Sequence, residues 1–468
     1  MAMTTLGIIL GNRDFFPDHL ISEARQHVLQ LCSEFEINPI MLEERETKLG
    51  SVETYEHAKA CAELFKKYRD QIEGILVVLP NFGDEKGVAD TIKLSGLNVP
   101  ILVQAYPDDL RSFNVESRRD AFCGKISVCN NLRQYGYPFS LTRLHTVHLL
   151  SDDFREDLKR FIGVCRVVNG VRTARLGAIG ARPGAFNTVR YSEKLLQSSG
   201  VSVTTLDLSE VFGWAKRLSD EDPKVKAKIE EIRGYAKHDL VPTESMLRMA
   251  KLAVVIEKWM QDNDINATAI QCWSSLQLNY GVNACTLMSM MSERLMPSAC
   301  ETDVTGVLSM YVLQLASGNP AALVDWNNNY GDDPDRCVLF HCGNWAKTFT
   351  PDLEIRTAPI LGTTLGEENT FGAMSGRAKS GPFTFARVST DDVDGLIRAY
   401  VGSGELTDDP LDTFGQRAVA YVKNLQALLA YVCKNGFEHH VAITLGNVPD
   451  VLDEAFETYL GWDVYNHT

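Results

Sequence analysis

The chain has 468 residues, of which 45% are hydrophobic and 23% charged, and its 46 Lys and Arg against 61 Asp and Glu leave a formal charge of −15. This ordinary globular composition excludes a disordered or fibrous chain, and at roughly 100–200 residues per domain the length asks for two to four domains. A net-acidic chain without a basic cluster is a poor partner for nucleic acid or an anionic membrane.

Strand and helix signals alternate from the start. The spacing predicts strands at Leu6–Leu10, Ile37–Leu42, Gly74–Leu79 and Val99–Gln104, with helices at Asp18–Phe35, Thr54–Tyr68 and Asp84–Leu94 between them. Leu20, Ala24, Val28 and Leu31 share one helical face, as do Ala58, Cys61, Leu64 and Phe65. This is the pattern of a parallel sheet covered by helices, assigned to residues 1–165. A second such pattern, assigned to 166–318, starts with a strand at Ala174–Ile179, a helix at Thr188–Ser198 and a strand at Val201–Leu206. It continues through a charged helical stretch from Ser219 to Asp262, a strand at Ala267–Gln271, and helices at Ala284–Leu295 and Val304–Ala316. From about Pro320 the character changes. Short β-like runs, Ala322–Asp325, Cys337–His341, Gly381–Val388 and Val441–Leu445, surround one long helix expected at Thr413–Lys434. The expected class is α/β, with two Rossmann-like parallel-sheet domains and a β-rich C-terminal domain over 319–468.

No apolar run approaches the roughly 20 residues of a membrane span. The opening Met1-Ala2-Met3-Thr4-Thr5 lacks the basic and apolar regions of a secretion signal. Eleven Cys, an odd number without a CxxC pair, read as free thiols. Both features lead us to expect a cytoplasmic protein.

No GxSxG nucleophile elbow occurs. The Gly177–Gly184 segment after a strand fits neither GxGxxG nor the Walker pattern, and reads as a strand-to-helix turn or as a loop in which Arg182 contacts an anion or sugar. Metal chemistry has better support. Glu301 lies between a loop and an apolar helix, Asp325 ends the run Ala321–Val324, His341 ends Cys337–Phe340, and His439 and His440 open Val441–Leu445. Each has a plain alternative: a helix cap, a turn former beside Asn327-Asn328-Asn329, or a satisfied core histidine. Together, ionisable groups at the ends of buried runs are costly unless paired or ligated. Carboxylates with imidazole suit Mn²⁺, Co²⁺, Zn²⁺ or Fe²⁺, whereas a set without thiolate argues against structural zinc.

Ala299-Cys300-Glu301-Thr302-Asp303, Val324-Asp325-Trp326, His341-Cys342-Gly343-Asn344 and His439-His440-Val441, in that order, resemble the L-fucose/L-arabinose isomerase superfamily. The resemblance covers most of the chain and is closest in the last third. It implies an aldose–ketose isomerase that uses a divalent metal, Mn²⁺ first, and a cis-enediol. It implies Glu301 and Asp325 as acid/base pair and metal ligands, completed by His439 and His341. Aligning the last strand without a gap favours His439 as the ligand, with His440 as the fallback or on the substrate side, since adjacent strand residues face opposite ways. Trp326, Asn344 and Arg182 are expected at the sugar, and Arg377 and Lys379 lie in a segment that closes over an anionic group or is simply solvated. The substrate is then a deoxyhexose, a pentose or a sulfosugar such as sulfoquinovose. A homo-oligomer, trimer or hexamer, is also implied. A non-catalytic sugar-binding protein with two α/β domains around a cleft is the alternative reading, which the missing export signal opposes.

Overall fold

The computed structural model describes residues 3–467. They form two compact units, one of residues up to 169 with 454–461, the other of residues 170–453 with those from 462 onward.

The first unit begins with β1 (Thr5–Leu10), α1 (His19–Glu34), β2 (Asn38–Ile40), α2 (Tyr55–Lys67), β3 (Gly74–Leu79), α3 (Glu85–Ser95) and β4 (Ile101–Ala105). It adds α4 (Ala121–Gln134), β5 (Ser140–Leu141) and α5 (Asp152–Arg172), which the sequence reading did not anticipate. The five strands pair in parallel in the order β2-β1-β3-β4-β5. Every residue of β1, β3 and β4 is buried, because helices cover both faces and a strand covered twice has no polar side. One face packs around Phe65, Val88 and Val128, the other around Ile21, Val28 and Phe161. Thr54 and Asp84 accept the main-chain N–H of His57 and Gly87, which satisfies the open amides at the starts of α2 and α3.

The second unit contains a smaller parallel sheet and a large mixed one. β6 (Arg175–Ile179), α6 (Glu193–Ser198), β7 (Ser202–Leu206), α7 (Leu208–Arg217), α8 (Pro223–Tyr235), α9 (Thr243–Asp262) and β8 (Ala267–Ile270) come first. α10 (Ser275–Asn279), α11 (Cys285–Glu293), β9 (Ser298–Ala299) and α12 (Val304–Ser317) follow. The strands pair in parallel as β7-β6-β8-β9. Then come β10 (Ala321–Tyr330), β11 (Asp333–His341), β12 (Glu354–Arg356), α13 (Pro359–Leu365), β13 (Ala373–Arg377), β14 (Gly381–Asp391) and β15 (Leu396–Thr407). β16 (Gln416–Tyr421), α14 (Leu425–Lys434), β17 (His440–Leu445) and β18 (Asp463–His467) complete it. These strands run β12-β13-β16-β11-β10-β17-β14-β15-β18, and β16 also pairs with β15, which closes β16-β11-β10-β17-β14-β15 into a barrel. Phe383, Phe385, Leu339 and Val324 belong to its core. α12 is apolar on all sides because it packs on β6, β8 and β9 as well as on β10, β14 and β17. The α/β class with a β-rich C-terminal part is therefore present, and no helix of the described residues is long and apolar enough to cross a membrane.

Three expected helices differ. Thr188–Ser198 shrinks to α6, and the Ser219–Asp262 stretch breaks at Ala236–Pro242 into α8 and α9. The long helix at Thr413–Lys434 is a strand, β16, followed by the shorter α14. Residues of β16 pair with β11, Ala418 with Leu339 and Ala420 with Cys337, and Asn424 takes a positive φ of 56° that no helix interior allows. Asn424→Val should cost roughly 1–2 kcal/mol in chemical denaturation, since a β-branched residue fits that conformation poorly, while Asn424→Gly should be close to neutral.

Candidate metal centre

Register brings the first two site residues together. Asp325 on β10 and His440 on β17 are direct antiparallel partners, so their side chains leave the same face of the barrel wall. His341 ends the neighbouring strand β11, whose Phe340 pairs with Asp325. Glu301 arrives from outside the barrel, on the short connection between β9 and α12. Glu301 and Thr302 both take the left-handed conformation, with φ of 54° and 56°. Two consecutive non-Gly residues in that region, one of them β-branched, store backbone strain.

Four side chains converge here. Glu301 Oε2 lies 3.8 Å from His341 Nε2 and 3.8 Å from His440 Nε2, and His440 Nε2 lies 3.4 Å from Asp325 Oδ1. His439 Nε2 is 3.7 Å from Asp325 Oδ1, with a side chain 44% exposed. Glu301, His341 and His440 offer ligand atoms within 4.8 Å of one another, and so do Asp325, His439 and His440. Expected on the substrate side, His440 is the imidazole that reaches both carboxylates, whereas His439 reaches only Asp325.

The tautomers follow from the partners. His440 Nδ1 is 2.8 Å from Asp303 Oδ2, and a carboxylate can only accept, so the proton is on Nδ1 and the Nε2 lone pair faces the site. His341 is the reverse. Its Nδ1 accepts the main-chain N–H of Cys342 at 2.8 Å, which puts the proton on Nε2. In this tautomer His341 turns a donor toward Glu301, and with Glu301 and His440 it also forms a group whose ligand atoms lie close enough to share an ion.

Asp303 anchors this arrangement. It caps α12 by accepting the Gly306 N–H at 2.8 Å and takes two hydrogen bonds from the Arg387 guanidinium, at 2.7 and 3.0 Å. Arg387, with no exposed surface, also binds Glu438 at 3.0 and 2.9 Å and Thr305 Oγ1 at 2.8 Å. Burial pushes the Asp303 carboxyl up, but Arg387 and His440 outweigh it and hold it well below the usual range. Burial raises Glu301 against the pull of both imidazoles. Burial disfavours charge on His440 too, yet the Asp303 hydrogen bond raises it.

These residues fit a divalent cation. Glu301 Oε2 and His341 Nε2 are buried without a hydrogen-bond partner, and an unpaired carboxylate oxygen is costly to bury. Ligand atoms about 2.1 Å from one ion lie roughly 3.0–3.4 Å apart; His440 Nε2 stands 3.4 Å from Asp325 Oδ1 and 3.8 Å from Glu301 Oε2. Glu301 Oε1 is already held by Trp273 Nε1–H at 2.9 Å and the Cys272 thiol at 3.4 Å, which fixes the rotamer and leaves Oε2 free. Glu301 opens on a cavity of about 170 Å³ walled by Trp273, Phe340, Ile360, Met374 and Phe414. Phe186 lies 5.8 Å from the Trp273 ring and 5.4 and 5.6 Å from His439 and His440. It comes from the loop after the Gly-rich turn, which therefore delivers an aromatic ring to the site.

The other expected residues have partners of their own. Trp326 faces away from Asp325, as neighbours on a strand must, and donates to Tyr400 Oη at 3.0 Å beside Phe385. Arg377 donates to the main-chain carbonyls of Thr407 and Asp409, and Lys379 is exposed on a segment whose N–H bonds Phe349 O. Arg182 donates to Pro183 O at 3.0 Å. Asn344 is buried near the site, donating to Cys300 Sγ at 3.8 Å, with Oδ1 unpartnered. Sequence reasoning gave no role to Asp303, Arg387, Glu438 and Phe186, and took Trp273 only as an aromatic near the motifs. Arg387 carried a signal, a lone cation inside the apolar run from Phe383 to Val388.

Family models and curated relatives agree with one another. A family model described as the fucose/sulfoquinovose isomerase N-terminal domain matches residues 7–172, and one described as the L-fucose isomerase C-terminal domain matches 339–468. The chain belongs to the fucose isomerase-like superfamily. It is 28% identical over 347 residues to a sulfoquinovose isomerase of Priestia aryabhattai, covering 72% of this chain and 74% of that protein. It is 26% identical over 305 residues to one from Alkalicoccus urumqiensis, covering 64% and 66%. Membership makes this chain an aldose–ketose sugar isomerase and sets aside the sugar-binding alternative.

In Asp303→Asn the amide oxygen would stay with Gly306 N–H and Arg387, which turns the NH2 group toward His440 Nδ1 and disfavours the tautomer whose Nε2 lone pair faces the site. The substitution should weaken Mn²⁺ binding by roughly 10–100-fold, read by calorimetric titration of the purified protein.

Proposed function

We propose that this chain interconverts sulfoquinovose and its ketose with a divalent ion, Mn²⁺ first, through a cis-enediol. The observation that carries the reading is the unpartnered Glu301 Oε2, buried opposite His440 Nε2 and Asp325 in a cluster where carboxylates outnumber the one guanidinium. Glu301, Asp325 and His440 would hold the ion. Bound there, it would supply Lewis-acid stabilisation of negative charge on adjacent sugar oxygens.

The chain's own groups do the proton work. Aldose–ketose exchange removes a proton from C2 of the aldose and returns one to C1. Trp273 and Cys272 hold Glu301 Oε1, so the proton goes to Oε2, through the lone pair that does not face the ion. Asp325, one fifth exposed, stands opposite as the second carboxylate for the hydroxyl proton. His341 Nε2–H is a donor for a sugar oxygen. The aromatic and aliphatic wall of the cavity keeps water from the transfer. The sulfosugar assignment draws on the names carried by the relatives and by the N-terminal family model. The same resemblance carries the expectation of a trimer or hexamer.

Glu301→Gln, with metal content measured and retained, should lower turnover by roughly 100- to 10,000-fold and abolish exchange of the substrate C2 proton with solvent. Persistent exchange would remove Glu301 from the role. With Mn²⁺ added, kcat/KM should be highest for sulfoquinovose among sulfoquinovose, L-fucose and D-arabinose. A preference for either neutral sugar would overturn the sulfosugar assignment and leave the isomerase chemistry in place.

A further inference from the structure

Sulfur gathers behind the carboxylates. Cys272 follows β8, Cys285 opens α11, Cys300 follows β9 and Cys342 follows β11, so the four come from separate elements. Cys285 Sγ is 3.9 Å from Cys342 Sγ. Cys300 and Cys342 offer sulfur atoms within 4.8 Å of each other, as do Cys272 and Cys300. Met288 Sδ lies 3.9 Å from Cys300 Sγ. Only Cys272 has a part in the proposed chemistry. Two thiolates on one tetrahedral ion at the usual zinc–sulfur distance stand roughly 3.8 Å apart, which is the separation of Cys285 and Cys342. Cys342 lines the same cavity as Glu301, which gives an ion a way in.

We propose that Cys285, Cys300 and Cys342 form a second, thiophilic cation site that captures a soft divalent ion such as Cd²⁺ or Zn²⁺ and stops turnover. Each sulfur–metal bond replaces an S–H bond and releases one proton to solvent. Soft ions prefer sulfur to the carboxylates next door, and Mn²⁺ prefers the reverse, so the two sites sort ions by chemistry. Capture reaches the reacting groups directly. Cys300 precedes Glu301 in the chain, and Cys342 Sγ lies 3.4 Å from His341 Nδ1. An ion drawn onto these sulfurs shifts both the base and the donor.

The test uses the reduced, Mn²⁺-saturated full chain with the exposed Cys123 and Cys433 replaced by Ser. Cd²⁺ should bind one per chain with a sulfur-to-cadmium ultraviolet absorption band, and turnover should fall with the same stoichiometry. Cys285→Ser should keep turnover in Mn²⁺ alone but weaken Cd²⁺ binding by more than the roughly 10–100-fold that an outer partner is worth. Should that variant not fold, cadmium NMR of the parent protein reports sulfur against oxygen ligation directly. Absence of the sulfur signal, a signal unchanged in Cys285→Ser, or one-for-one displacement of Cd²⁺ by Mn²⁺ would overturn the site. The spectral readout stands whether or not sulfoquinovose proves to be the substrate.

Discussion

A guanidinium with no exposed surface must be matched by carboxylates, and Arg387 is matched by Asp303 and Glu438. Removing one partner of such a buried pair typically costs about 3–5 kcal/mol. Here the pairing also fixes geometry. Arg387 belongs to β14, Asp303 caps α12 and Glu438 leads into β17, so one cation joins the apolar helix to two strands of the barrel. With Asp303 held on both sides, its remaining contact orients the His440 ring. His440 thus inherits its position from an ion pair that lies behind it.

Glu301 is positioned differently. Its backbone and that of Thr302 adopt conformations costing of order 1–3 kcal/mol each, which persist only when the surroundings dictate them. The helix cap on one side and the short strand β9 on the other leave the two residues no relaxed path. The indole of Trp273 then selects one rotamer. The carboxylate is held by strain, packing and two donors on one oxygen, leaving the other without a hydrogen bond.

Much of this was legible in the sequence. Fully apolar runs such as Gly74–Leu79 marked strands covered on both faces, and helical spacing in Thr54–Tyr68 marked the covering layer. The order of the motifs around Glu301, Asp325, His341 and His440 gave the family. Three-dimensional pairing was not legible. Nothing local told β16 from a helix, since Gln, Ala and Val suit both, and only the paired strands on either side decide. Which of His439 and His440 reaches both carboxylates depended on register with Asp325. The state of His341 depended on one amide of its neighbour. Trp326 looked like a sugar platform by proximity in the chain, which in a strand places it on the wrong face.

The groups at the centre are scattered from Trp273 to His440 along the chain. No short fragment contains them, and none of their pairings exists before the barrel closes. A ligand gathered by all of them recognises the folded second unit and ignores the unfolded chain. By mass action, the binding free energy of such a ligand would add to the stability of that whole unit, so its loss would be felt as unfolding well away from the site.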